Sequence, residues 1–255
     1  MNKISQIILM VYIMAIFSCA SSKILDGNTI EDRFLVGMKN LEKEKYLVAQ
    51  TDFKYVTMRG GGSDLGDDAL YYLGESYFRN EEYILAIAEY EKLTRNMGYS
   101  PFVEDARFKI CEAYRIESPK YFHDQEYTEK ALQRYQEFLD DFPDTPLKNN
   151  VITSIDILRE KLGKKIYETG ILYMKLEEYE SAKISFQMVI DIYYDTDILS
   201  LAYQGMVKAL AKNREMDDAI SYLEEHKAGL VDRSLYQDAK KTIEMVQKKI
   251  SKEEN

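Results

Sequence analysis

Four residues recur in the same order and at the same spacing in two distant parts of this 255-residue chain. A small residue is followed by an aromatic residue at +3, an alanine at +12 and a second aromatic residue at +16. The two copies are Gly74, Tyr77, Ala86 and Tyr90, and Gly170, Tyr173, Ala182 and Phe186. Internal repetition of this kind is typical of solenoid proteins, in which stacked copies of one unit bury a common core.

The spacing fits two antiparallel helices that cross closely. Residues three or four positions apart lie on one helical face, so each small residue shares a face with one ring and each alanine with another. Glycine or alanine at the crossing lets the backbones approach, and an aromatic ring fills the space beside it. The pattern therefore predicts helix–turn–helix pairs.

Three further copies are present, of which the last is the weakest. A step of 37 residues from Gly74 leads back to Gly37 and forward to Cys111. In the copy that starts at Cys111, the alanine arrives eight residues late, which predicts an inserted loop over Ser118–Gln125. The copies are Gly37, Ala49 and Phe53; Cys111, Tyr114, Ala131 and Tyr135; and Val207, Leu210, Ala219 and Leu223.

This arrangement resembles the tetratricopeptide repeat, and Phe142-Pro143 ends the third copy with a helix-stopping proline. We predict an all-α fold, a tetratricopeptide-repeat superhelix of five helix-turn-helix repeats over residues 28–229 with a C-terminal capping helix from about Ser234. The fourth repeat is expected to begin at Lys164. Gly60-Gly61-Gly62-Ser63 is predicted to be the most flexible internal link.

The N-terminus has the composition of a secretory signal: Lys3, then an apolar run too short for a permanent membrane span, then Ser18-Cys19. Ile16-Phe17-Ser18-Cys19 resembles a bacterial lipobox. The resemblance implies a lipoprotein signal peptide over 1–18, a fatty acid such as palmitate on Cys19, and a lipidated tether over 19–27 that holds the protein to a membrane. An ordinary signal peptide with an incidental cysteine is the alternative.

Charge and residue types disfavour several classes of function. A net charge of −10 argues against nucleic acid as a partner, because such binding requires a basic surface. His123 and His226 lie far apart in sequence, and no metal-binding or phosphate-binding motif occurs. Cys111 occupies a small-residue position, so we expect it to be buried and inert. We predict no enzyme activity, no metal and no cofactor besides the covalent lipid.

Two longer segments carry a more specific resemblance. The first covers residues 124–145 and includes Arg134-Tyr135-Gln136-Glu137-Phe138; the second is Ile157–Gly163 together with residues 173–182. With the lipobox and the repeats, these segments resemble the BamD family of outer-membrane assembly lipoproteins.

The resemblance implies a lipid-anchored, periplasm-facing protein of the outer membrane. Its expected partners are a BamA-type barrel assembly protein, other lipoproteins of the assembly complex, and unfolded outer-membrane β-barrel proteins. Repeats 1–2 (residues 28–100) are then expected to bind clients, and repeats 3–5 with the capping helix (101–255) to dock on the scaffold. A periplasmic repeat lipoprotein that organises cell-wall or division machinery is the alternative.

Aromatic residues lie three positions before several of the small residues and predict a peptide-binding groove. In this repeat family that position tends to face the concave surface, which suits an apolar, extended peptide end. The expected groove residues are Phe34, Tyr71 and Phe108 of this series, with Glu75 and Phe78 beside them. The alternative is that these rings pack between neighbouring helices as part of the core.

A basic and aromatic group, Lys164, Lys165 and Tyr167, lies on the fourth repeat of this acidic chain. It could dock an acidic surface of a partner protein, and a solvated helix end would explain it equally well.

Overall fold

The computed structural model describes residues 29–231 and 234–253, which form twelve helices and no strand. The first four pairs are α1 (Ile30–Glu42) with α2 (Tyr46–Gly60), α3 (Gly66–Arg79) with α4 (Tyr83–Asn96), α5 (Val103–Glu117) with α6 (Glu126–Asp141), and α7 (Lys148–Lys175) with α8 (Tyr179–Ile192). The fifth pair is α9 (Ile198–Lys212) with α10 (Met216–Glu225), followed by α11 (Lys227–Val231) and the capping helix α12 (Leu235–Glu253). The predicted all-α repeat fold is confirmed.

None of the helices within the described residues has the length and apolarity needed to cross a membrane. The chain divides into two compact units between Ala106 and Arg107, and helix α5 crosses this boundary.

In the first unit, the small residues of the repeat lie directly against the rings that follow them. A Cβ atom added to Gly37 would lie 2.8 Å from Phe53 Cε1, and one added to Gly74 would lie 2.5 Å from Tyr90 Cε1. Both rings are fully buried. The predicted packing of glycine against the ring sixteen positions later is therefore confirmed. The flexibility predicted for the glycine-rich link stays a prediction; Ser63 N there donates to Gly60 O at 2.9 Å.

In the second unit, one ring lies between two glycines. Cβ atoms added to Gly170 and Gly205 would lie 2.6 and 2.7 Å from Phe186 Cε1. Cys111 is buried against Ala131, Tyr135 and Phe138, as its position in the repeat predicts. The second unit thus contains the same close packing of a small residue against a ring, although the third pair has Cys111 and the fifth pair has Val207 at the position where the other pairs have glycine.

Four helix pairs turn at a residue with left-handed backbone conformation, and none of these residues is glycine. They are Glu44, Glu81, Glu177 and Arg214, with φ between 58° and 69°. After each, the next backbone N–H donates to a carbonyl five residues earlier, for example Glu82 N to Tyr77 O at 2.9 Å. This Schellman motif satisfies the carbonyl groups at the helix end.

The third pair has a loop in place of that turn. Helix α5 ends at Glu117 and α6 begins at Glu126, so the connection is the predicted inserted loop, Ser118–Gln125.

The prediction that the fourth repeat begins at Lys164 was wrong. Helix α7 is continuous for 28 residues from Lys148, and Lys164 lies in its middle. The turns of α7 that precede Lys164 belong to the folded core of the second unit, because residues of their inner face such as Val151 and Leu158 are fully buried there.

Candidate functional site

Two of the five predicted groove residues are buried within the first unit. Tyr71 is 8% exposed, and its ring stacks on Phe102 with 4.4 Å between centroids. Its hydroxyl donates a hydrogen bond to the carboxylate of Asp105. Burial, together with this contact to an acidic group, raises the pKa of Tyr71. The phenol is therefore a neutral donor that joins α3 to the start of α5.

Glu75 is a buried carboxylate with its own partners. It is 4% exposed and accepts a hydrogen bond from Tyr90 Oη at 2.6 Å. The Arg79 guanidinium, one turn further along α3, lies 3.2 Å from the other carboxylate oxygen. Burial, with the nearby Glu75 charge, raises the pKa of Tyr90, so this hydroxyl keeps its proton and remains a donor. These contacts of Glu75 thus lie within the second helix pair.

The other three predicted groove residues are half-buried. Phe34 packs edge-on against Phe53 at a centroid distance of 5.7 Å, and Phe78 packs edge-on against Tyr83 at 5.2 Å. Phe108 belongs to the second unit, where its ring lies 5.8 Å from that of Phe138. Part of each of these rings remains accessible, so a role in peptide binding stays a prediction for them.

The sequence reasoning missed two residues of this aromatic group. Tyr72 contacts the rings of Phe34, Phe53 and Tyr71, and Phe102 covers one face of Tyr71. Tyr72 lies outside the four positions of the repeat, which is why the pattern did not indicate it. Phe102 precedes helix α5, and no local spacing connects it to α3.

The predicted docking residues, Lys164, Lys165 and Tyr167, contact other parts of the second unit. The ammonium of Lys164 lies 4.7 Å from the centroid of the Tyr121 ring, a cation–π contact, and Lys165 Nζ donates to His123 O at 2.9 Å. Tyr167 is half-buried, and its ring lies 5.7 Å from that of Phe186. The two lysines therefore hold the inserted loop against α7. A docking role for the group stays a prediction.

The inserted loop is also fixed from within. The buried Gln125 side chain donates to Lys120 O at 2.9 Å and to His123 O at 3.0 Å. Lys161 Nζ donates to Ser118 Oγ at 2.7 Å, and that hydroxyl also hydrogen-bonds to Thr128 Oγ1. The loop is an ordered structure with one face on α7.

The described residues contain no group of His, Cys, Asp or Glu side chains that could hold a metal ion. Cys111 is buried, and burial raises the pKa of its thiol, so little reactive thiolate forms at neutral pH.

Comparison with known proteins identifies the family. A model of the YfiO family, described as outer membrane lipoprotein, matches residues 28–226. The chain belongs to the YfiO family. The YfiO match covers all five helix pairs and ends one residue after α10. No curated protein sequence matches the chain significantly.

Solved structures similar to this YfiO-family chain include tetratricopeptide-repeat proteins of low identity. The TPR2AB domain of yeast Sti1 in complex with pHSP90 is 14% identical, with 89% of this chain and 87% of that chain covered and a TM-score of 0.43. A tetratricopeptide repeat protein from Parabacteroides merdae is 15% identical, with 89% and 93% covered and a TM-score of 0.39.

Membership in the YfiO family makes this chain one of a family of outer membrane lipoproteins. Cys19, the predicted site of lipidation, lies outside the described residues, as do the signal peptide and the tether. Its acylation therefore stays a prediction.

Proposed function

We propose that this chain is a periplasm-facing, lipid-anchored scaffold of the β-barrel assembly machinery. It binds unfolded outer-membrane β-barrel proteins and helps their folding and insertion, together with a BamA-type barrel protein and other assembly lipoproteins. The match to an outer membrane lipoprotein family over residues 28–226 carries the proposal. A fold made of helix pairs is consistent with it, since such repeats offer long surfaces to protein partners.

The repeat pairs of the first unit form the client-binding half. The accessible parts of Phe34 and Phe78 contact an aromatic residue at the end of the client, while Tyr71 and Glu75 fix α3 from inside. Apolar area buried at such rings supplies the affinity, and a few aromatic residues commonly dominate peptide binding.

A peptide-binding measurement tests this client site. We expect Phe78→Ala and Phe34→Ala each to weaken binding of a barrel-protein C-terminal peptide about tenfold, which corresponds to about 1.4 kcal/mol. Tyr71→Phe removes only the buried hydroxyl and serves as the control, with little expected change in affinity. Unchanged affinity in the folded alanine variants would contradict the assignment of the client site.

The second unit forms the scaffold-docking half, and Lys164, which is exposed, is the accessible member of its basic group. Affinity purification of the tagged full chain from cross-linked membranes tests the function as a whole. A BamA-type protein should co-elute, and it should be absent when an unrelated lipoprotein carries the same tag. Recovery of a cell-wall synthase or hydrolase without a barrel assembly protein would support the alternative function and contradict this one.

A further inference from the structure

A groove runs between the inserted loop and helix α7 in the second unit; we call it the loop groove. Its volume is about 360 Å³, at the lower end of the range for ligand pockets, and almost all of its surface is apolar. The loop contributes Lys120, Tyr121 and Phe122. Helix α7 contributes Ile157, Glu160, Lys161 and Lys164, whose spacing places them on one helical face.

Two large apolar side chains of the loop groove face solvent. Phe122 is 61% exposed and Ile157 is 56% exposed. Single exposed apolar residues are common on protein surfaces, but here two of them line the same concavity. The lining also includes three lysines, a residue type whose aliphatic stem commonly covers apolar surface. The groove therefore has room for one large apolar side chain.

The rim of the loop groove is positive. Among the described residues, none of Lys120, Lys161 and Lys164 forms a salt bridge, although the chain has a net charge of −10. The one acidic side chain in the lining, Glu160, accepts a hydrogen bond from Asp197 N at 2.9 Å. Burial, and then the nearby Arg115 guanidinium, lower the pKa of Lys161, as expected for a cation without a carboxylate partner.

Contacts within the loop and to α7 fix the shape of the loop groove. Gln125 holds the backbone of the loop at Lys120 and His123, and Lys165 binds the same carbonyl of His123. Lys164 lies against the face of Tyr121. A preformed site binds more tightly than one that must be ordered on binding, because little conformational entropy is lost.

We propose that the loop groove binds an acidic, extended segment of a partner protein, with one large apolar side chain in the groove and flanking carboxylates at the three lysines. Charge complementarity selects this occupant: three lysines that form no salt bridge among the described residues line an apolar concavity on an otherwise acidic chain. A membrane surface fits less well, because interfacial binding uses protruding apolar side chains, and here the apolar surface is concave. The proposal concerns this groove alone and holds whether or not the chain takes part in barrel assembly.

Fluorescence anisotropy with the purified full chain and three synthetic peptides tests the proposal. The first peptide has a central phenylalanine flanked by aspartates; in the second, serine replaces the phenylalanine; in the third, asparagines replace the aspartates. We expect the first peptide to bind at least about tenfold more tightly than either control. Its affinity should also fall with added salt, because the rim charges are exposed.

Variants of the protein locate the site. Phe122→Ser, Ile157→Ser and Lys120→Glu should each weaken binding of the first peptide at least about fivefold, which is about 1 kcal/mol. The side chain of Lys120 is exposed and forms no hydrogen bond or ion pair within the described residues, so we expect this change to leave the loop intact. Ile184→Ser, at a residue that is 64% exposed on α8, and Lys248→Gln on α12 are matched controls that should bind like the wild type.

Thermal melts of all variants separate a local effect from unfolding. Equal binding of the three peptides, or unchanged affinity in folded Phe122→Ser and Lys120→Glu proteins, would overturn the proposal. Binding to vesicles that contain anionic lipid, lost in the same variants while the peptides fail to bind, would assign the loop groove to a membrane surface and would also overturn it.

Discussion

At the scale of single residues, glycine at the helix crossings is required by space and not by backbone conformation. No glycine in the described residues has a positive φ, and the residues that do are four at the turns, three of them glutamates, and Ser234. Gly170 sits in regular helix, where alanine is intrinsically favoured. Its role is to make room for the Phe186 ring.

Gly170→Ala should therefore destabilise the protein. Alanine gains up to about 1 kcal/mol in helix propensity, but its methyl group would lie 2.6 Å from Phe186 Cε1, and overpacking of this kind costs about 1–3 kcal/mol. Urea unfolding of the two proteins measures the difference. Gly229→Ala is the control, because its Cβ would lie at an ordinary 3.5 Å from Tyr203. Equal stability changes in the two variants would contradict the packing argument.

The buried pair of Tyr90 and Glu75 leads to a second prediction. Tyr90→Phe removes the hydrogen bond that the carboxylate accepts at 2.6 Å and should lower the free energy of unfolding by about 1.5–3 kcal/mol, as for bonds to charged groups. The same change in a Glu75→Gln background should cost less, since no charge is then left without its donor. A double-mutant cycle by urea unfolding measures this coupling. Additive effects would show that the hydroxyl acts elsewhere.

The sequence predicted the packing of glycines against rings within a repeat but not the other contacts between elements, and the reason is physical. Spacing within two helices determines which side chains meet across a repeat, so the packing of Gly37, Gly74 and Gly170 against rings could be predicted. The partners of Glu75 and the stacking of Phe102 on Tyr71 depend on distances between elements, which periodicity does not specify. The sequence consequently left open whether Tyr71 faces a groove or packs in the core, and the structure buries it.

At the scale of elements, α7 departs most from the repeat, and its N-terminal half is held by polar contacts to the α8–α9 turn. Arg159 donates to both carboxylate oxygens of Asp195, with the shortest distance 2.7 Å, and to Ile192 O at 2.6 Å. Gly163 lets Tyr193 approach, since a Cβ there would lie 3.2 Å from the Cβ of Tyr193. The repeat pattern describes each helix pair separately. It therefore did not predict a helix that, like α7, extends beyond its own pair.

Arg159→Ala should lower the free energy of unfolding by about 1 kcal/mol near pH 7, a modest value because the carboxylate is partly exposed. The hydrogen bond from Arg159 lowers the pKa of Asp195 from its ordinary value of 3.8. A carboxyl group whose pKa is lower in the folded state than in the unfolded state stabilises the folded protein at pH values above its unfolded-state pKa. This stabilisation is lost as the pH falls through the folded-state pKa.

The difference between wild type and Arg159→Ala should therefore shrink as urea unfolding is repeated from pH 7 toward pH 3. In an Asp195→Asn background the same substitution should show no such pH dependence. A difference that stays constant down to pH 3 in the wild-type background would assign the stabilisation to the contact with Ile192 O.

At the scale of the whole molecule, the chain consists of two compact units that share helix α5. The five helix pairs and the capping helix could be predicted because each pair repeats one local rule. The functional division of the chain into a client half and a docking half is not a local property, and it remains a proposal. So does the membrane anchor, which depends on a single residue near the N-terminus.

Cys19→Ser should abolish lipidation. The wild-type protein should partition into detergent and incorporate labelled palmitate, whereas the variant should remain soluble or retain its signal peptide. Metabolic labelling followed by detergent phase separation measures both properties. Cys111→Ser, at the buried thiol, is the matched control and should still be labelled. Absence of label from the wild-type chain would refute the lipoprotein assignment for this residue.

The position of Phe186 has a consequence for motion. Its ring lies between Gly170 on α7 and Gly205 on α9, so a rotation of the ring by half a turn requires both helices to move aside. Close-packed interiors leave no free volume for such a rotation without a local opening. Ring flips of Phe186 should therefore be slow, and the two sides of the ring should give separate proton NMR signals at room temperature. The rate at which these signals merge on warming would report how often the fourth and fifth helix pairs separate.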